Sequence, residues 1–134
     1  MNGFHQNIEQ ATLANSDFRR VLYTGKHSQL VLMSLAPSEE IGLETHPDND
    51  QFFRFEQGHG KCLIDGNEYL VENGSAIIVP AGVQHNIINT SATEHLKLYT
   101  LYSPAHHKDQ IVRATKADAE DPTQTEDFDG VTTE

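Results

Sequence analysis

Cysteine is almost absent from this sequence of 134 residues: Cys62 stands alone. That excludes an internal disulfide and leaves no partner for a CxxC redox or zinc motif. Beside Leu63 and Ile64 in a strand-like stretch, the thiol reads as packed and structural rather than nucleophilic. Apolar runs approaching the roughly twenty residues of a membrane span are missing too, and the opening MNGFHQNIEQ lacks the basic-then-apolar order of a signal peptide. A soluble cytoplasmic protein with no membrane partner is expected. Clusters of Lys and Arg are equally absent, so the positive surface that binds a phosphate backbone is lacking and nucleic acid is not an expected partner.

What the sequence has in excess is acid, but unevenly. The formal charge is −11. Residues 1–116 hold thirteen acids against nine Lys and Arg, whereas residues 117–134 hold seven acids and no base. That terminal stretch, with Pro122 and little apolar beyond Phe128 and Val131, has too little to bury against its ordering entropy. The reading is one domain over residues 1–117, with its motif core at 25–105, and a disordered acidic tail over 118–134.

The domain itself is a series of short β-prone runs divided by Gly, Asn, Asp and Pro, with no long stretch of helical period. Strands are expected at 19–24, 29–35, 42–46, 51–57, 60–64, 67–71, 75–79, 85–89 and 96–102. Asp65-Gly66 is a two-residue hairpin signal, since both residues tolerate positive φ. A helix is expected only around 109–119. The fold class is therefore all-β, a sandwich or barrel.

Two segments carry the chemistry. One is Glu44-Thr-His46-Pro-Asp-Asn-Asp-Gln51, closed by Gly58. The other runs from Gly74 through Pro80-Ala-Gly82 to His85 and Asn89. Residues two apart in a strand share a face, so Glu44 and His46 project together, and Gln51, Phe53 and Phe55 share the face of the next strand. Ile77, Val79, His85 and Ile87 continue the pattern, which places each polar group at one end of an apolar face. Pro80 and Gly82 read as turn chemistry and Asn89 as a structural strand end.

In order, spacing and turn residues these segments resemble the two motifs of the cupin superfamily, and the stretch Leu96-Lys-Leu-Tyr-Thr-Leu-Tyr102-Ser-Pro104 resembles short cupins labelled mannose-6-phosphate isomerase-like. The second motif is matched at Gly74, Pro80, Gly82, His85 and Asn89. The first departs twice, with Glu44 where the family has His and Gln51 where it has Glu. The resemblance implies a double-stranded β-helix, or jelly-roll, barrel that pairs as a homodimer. It also implies one divalent metal ion held by Glu44, His46, Gln51 and His85. Exchanging one His for Glu and the Glu for Gln leaves the ligand charge unchanged, so a divalent cation remains acceptable. Zn, Mn, Fe, Ni and Co all suit such a set. Gln51 has a second reading, as a donor that orients a substrate or water.

Met33, Phe53 and Tyr102 are candidate linings of a small-molecule pocket, with core packing as the alternative for each. Tyr99 and Tyr102 fall on opposite faces of their strand. Arg54 and Glu56 alternate away from Gln51 and are expected outside or at a subunit contact. His59, His95 and the pair His106-His107 read as solvated, the pair with a stray metal site as its alternative. No general base can be named. Three functions stay open: a metal-dependent isomerase, cyclase or lyase acting on a small oxygenated substrate; a non-haem Fe(II) dioxygenase; and a non-catalytic small-molecule binding protein.

Overall fold

A computed structural model describes residues 1–134. It begins with a helix, α1 (Ile8–Ala14), whose first turn is capped by the Asn7 side chain accepting from the Gln10 amide, a pairing that satisfies an otherwise orphan donor. Nine strands follow: β1 (Arg19–Thr24), β2 (Gln29–Leu35), β3 (Asp50–Gln57), β4 (His59–Ile64), β5 (Asn67–Glu72), β6 (Ala76–Val79), β7 (His85–Asn89), β8 (Leu96–Ser103) and β9 (Val112–Arg113). A one-turn helix, α2 (Lys116–Ala119), comes last. Neither helix is long and apolar enough to cross a membrane.

The strands form two antiparallel sheets, one in the order β6-β3-β8-β2-β1-β9 and one in the order β5-β4-β7. This is the expected all-β jelly-roll barrel. The β4-β5 hairpin turns on Asp65 and Gly66, at φ 50° and 79°, the left-handed pair that a two-residue hairpin compatible with strand twist requires.

Strand alternation sorts the interior into layers. Gln29, Tyr102, Gln51 and Val79 lie in register across β2, β8, β3 and β6; Val31, Thr100, Phe53 and Ile77 form the next layer, and Met33, Leu98 and Phe55 the one below. The lower layers are apolar apart from Thr100 and buried apart from half-buried Ile77, and are joined by Cys62, Val71 and Ile87 from the smaller sheet. The uppermost layer is the one that carries amides and a phenol. Burial pushes the Cys62 thiol up to about 12, so it stays protonated at neutral pH. The native protein is expected to resist a disulfide-exchange reagent at pH 8 and to react at the rate of a free thiol only in denaturant; rapid native reaction would contradict the packing.

Several expectations are corrected. Residues 42–46 are not a strand: Gly42 sits at φ +107° and spends its amide on the Asn86 side chain, so only isolated bridges tie this segment to β7, Glu40 to Ile88 and Glu44 to His85. The helix expected at 109–119 is confined to its last residues, because β9 takes up the middle of that range. Glu56 is buried rather than outside, since a register shift between Phe55 and Gln57 turns it inward beside Arg54.

The acidic tail is not left loose. Glu126 inserts between Arg19 and Arg113, whose side chains are 8% and 16% exposed. Residues 126–128 then run along 106–108: Lys108 donates to the Glu126 carbonyl, Asp127 bridges His107, and Phe128 donates to the His106 carbonyl. Composition weighs apolar burial; what holds this tail is an ion pair and main-chain hydrogen bonds to residues far away in the chain.

Candidate metal centre

Glu44 and His85 are placed side by side by a reciprocal pair of main-chain hydrogen bonds, each 2.9 Å. His46 follows two residues later on the same face, and its backbone carbonyl accepts from the Gly82 amide at 2.9 Å. The Pro80-Gly82 turn therefore ties the two motif segments together. In consequence the Glu44 carboxylate, a His46 nitrogen and a His85 nitrogen all lie within 4.8 Å of one another. Glu44 Oε2 accepts from His46 Nε2 at 3.1 Å, and the two imidazole rings are 5.2 Å apart.

The protonation of His85 and of Glu44 suits a cation. His85 Nδ1 lies 3.0 Å from the Val83 carbonyl; a carbonyl only accepts, so Nδ1 carries the proton and Nε2 presents a lone pair, the arrangement that orients metal-binding histidines. Burial holds the His85 imidazole below its usual range, with the Val83 bond opposing. Burial pushes the Glu44 carboxyl up, but the hydrogen bond and charge of His46, helped by Arg19 and His85, leave it below its usual value. Glu44 is ionised at neutral pH.

Gln51 stands in the uppermost interior layer, buried, with Nε2 donating to Thr100 Oγ1 at 3.0 Å. Its Oε1 is buried without a partner. An unmet buried acceptor costs about 1–3 kcal/mol, and a cation would satisfy it. Two imidazoles and a carboxylate within 4.8 Å of one another thus fit a divalent ion. Of the proposed pocket residues, Phe53 and Tyr102 flank the site, their rings 6.2 Å from His85 and 5.7 Å from His46. Met33 does not: it lies two interior layers below Tyr102, fully buried in the core.

Sequence reasoning missed two histidines. His106 and His107 are not solvated. The His106 ring is 4.2 Å from that of His46 and stacks on Tyr102 at 5.2 Å, and buried His107 places Nε2 3.1 Å from the Tyr102 hydroxyl. They follow closely on the strand whose Tyr102 faces the site, but their rings are brought in by contacts distant in the chain. His95 is half-buried and pairs with Ser34, while His59 is exposed as expected.

These histidines make folding of the metal-free chain acid-sensitive. Burial, then the charge of His46, takes His106 from 6.5 down to about 4; burial also holds His107 well below its usual value, and His85 lies low as well. Between about pH 4 and 6.5 the unfolded chain binds more protons than the folded one, so stability rises with pH through that window. Glu44, depressed in the folded state, adds a loss at still lower pH. The thermal midpoint of the apoprotein should fall from pH 7 to 5 and change little from 7 to 8. A midpoint that is level across pH 5–7 would refute the burial of these rings.

A two-sheet jelly-roll with histidines and a carboxylate converging at one end of its interior defines a class, and the comparisons supply the family. The cupin domain model matches residues 31–102. The chain is 50% identical over 122 residues to the uncharacterized protein YrkC of Bacillus subtilis, covering 87% of this chain and 65% of that protein. It is also 50% identical over 104 residues to the uncharacterized protein L612 of Acanthamoeba polyphaga mimivirus, covering 75% and 65%. Among solved structures, BH2720 from Bacillus halodurans superposes with a TM-score of 0.85 at 43% identity over 88% of this chain and 93% of that one. The chain belongs to the cupin family. It spans 65% of the length of the two curated relatives it matches.

Proposed function

We propose that this chain is a divalent-metal cupin acting on a small oxygenated substrate, sugar-like or carbonyl-bearing, as an isomerase, cyclase or lyase. The observation that carries the reading is the convergence of Glu44, His46 and His85 within 4.8 Å of one another. A divalent ion held there would supply a Lewis acid that polarises a substrate carbonyl or hydroxyl. Gln51 is neutral, so Glu44 is the one anionic member of the set, which leaves more of the cation's charge for substrate. Phe53 and Tyr102 set aromatic rings against His85 and His46.

The test is incubation of Mn- and Zn-loaded protein with a panel of aldoses, ketoses and α-hydroxy ketones in deuterated water, read by NMR. Metal-dependent exchange of a carbon-bound hydrogen, lost on chelation, is expected; no exchange with any loaded form would rule out the isomerase reading. A second reading, a non-haem Fe(II) dioxygenase, is favoured by the two-His-one-carboxylate donor set. Oxygen uptake by the iron form, absent with zinc, would select it. Protein isolated without metal and indifferent to chelators would remove both and leave a non-catalytic binding module.

Homodimerisation belongs to the same proposal. The sheet edges β5 and β6 expose Leu70 at 82% and Ile78 at 65%, and a second copy would cover such edges. Light scattering in solution should give twice the chain mass.

A further inference from the structure

Around the candidate metal centre, one imidazole is unaccounted for. His106 presses its ring against His46 and Tyr102, yet it stands outside the set of groups that lie within 4.8 Å of one another. Each neighbouring ring has one nitrogen engaged: His46 with Glu44, His85 with Val83, His107 with Tyr102. The ring nitrogens of His106 alone have no hydrogen-bond partner, although the side chain is half-buried.

Its backbone, by contrast, is clamped from several directions. The buried Gln29 accepts from the His106 and His107 amides at 3.2 and 3.0 Å, and donates to the His107 carbonyl at 2.7 Å. Asn49 donates to the carbonyls of Pro104 and Ala105. Phe128 of the tail donates to the His106 carbonyl at 3.1 Å. A backbone anchored this firmly beneath a ring packed on His46 and Tyr102, with the ring's polar atoms unused, is the arrangement of a preorganised contact.

Charge specifies what the contact would meet. A divalent ion with Glu44 as its one anionic partner leaves a net positive charge in a mostly buried site, which favours an anionic oxygen donor. Arg19 is not free to serve it, being paired with Glu126. No open cleft of the surface is lined by Glu44, His46 or His85. Within the cluster Glu44 and His106 keep exposed surface while His46 and His85 are buried, so the ligand that enters must be small.

We propose that His106 is a substrate-contacting residue: a non-coordinating imidazole that donates a hydrogen bond to a small carboxylate or similar oxyanion bound on the open face of the metal. The inference rests on the metal reading above. The test is cobalt-loaded protein titrated with acetate, followed in the visible cobalt bands, with cobalt affinity measured separately. His106→Ala and His106→Phe should keep cobalt affinity within about threefold and weaken acetate by about tenfold to a hundredfold, the worth of one hydrogen bond to a charged group. His106→Gln, which retains an N–H donor, should recover most of the loss. Unchanged acetate affinity in His106→Ala overturns the proposal. So does a parallel loss of cobalt, which would make His106 a ligand. Failure of the wild-type protein to take up cobalt at all is a separate result and removes the metal reading itself.

Discussion

His85→Ala is expected to abolish stoichiometric metal binding, with affinity for zinc or cobalt falling by more than about a hundredfold. The side chain supplies a nitrogen whose lone pair is set by the Val83 carbonyl, and it is the member of the cluster contributed by the second motif segment, so nothing nearby replaces it. Gln51→Ala should weaken binding less, because an amide oxygen is a weaker donor than imidazole. Elemental analysis and competition with a chromogenic chelator measure both. Full metal occupancy in His85→Ala would sink the site.

Glu126→Ala should destabilise the fold by about 3–5 kcal/mol, a large share of the stability of a small domain. The substitution leaves two mostly buried guanidinium groups facing each other, Arg19 and Arg113, with their shared carboxylate gone. Arg19 Nη1 contacts both oxygens of that carboxylate, at 3.1 and 3.3 Å. Replacing Arg19 and Arg113 by Met together with Glu126 by Leu should recover much of the loss, since a buried ionic triad is often matched by apolar packing of similar volume. Chemical denaturation decides the matter. A tail that was free in solution would tolerate Glu126→Ala without change, so a shift below about 0.5 kcal/mol would overturn its docking.

The contrast between that tail and the strands shows what a sequence of this kind displays. Strands β1, β2 and β7 stand where alternation and turn residues place them, because each has a buried face and flanking Gly, Pro or Asn. The grouping of Glu44, His46 and His85 was legible through the resemblance of the two motif segments rather than through local spacing, since residues 42–46 form no strand and His85 joins Glu44 by a bridge between distant parts of the chain. Helix α1 went unread since seven residues hold too little period, although the Asn7 cap with Gln10 three residues on was visible. Met33 follows the same alternation as the site residues; its depth depends on which layer of the barrel it joins, and that is decided by cross-strand register. His106 and His107 reach the centre through Gln29, Asn49 and Phe128, partners distant in the chain, and no spacing rule encodes them.

The hydrogen bond from Gly82 to the His46 carbonyl, with the paired bonds between Glu44 and His85, has a thermodynamic reach beyond the site. The donors sit on chain segments that meet only after the barrel has closed, so the unfolded chain contains no comparable cluster. A cation that binds the folded form alone adds its binding free energy to folding by mass action, about 2.7 kcal/mol when free metal is a hundredfold above Kd. The melting temperature of this protein should therefore track the logarithm of free metal concentration, and metal supply would set how long the chain survives unfolding and proteolysis.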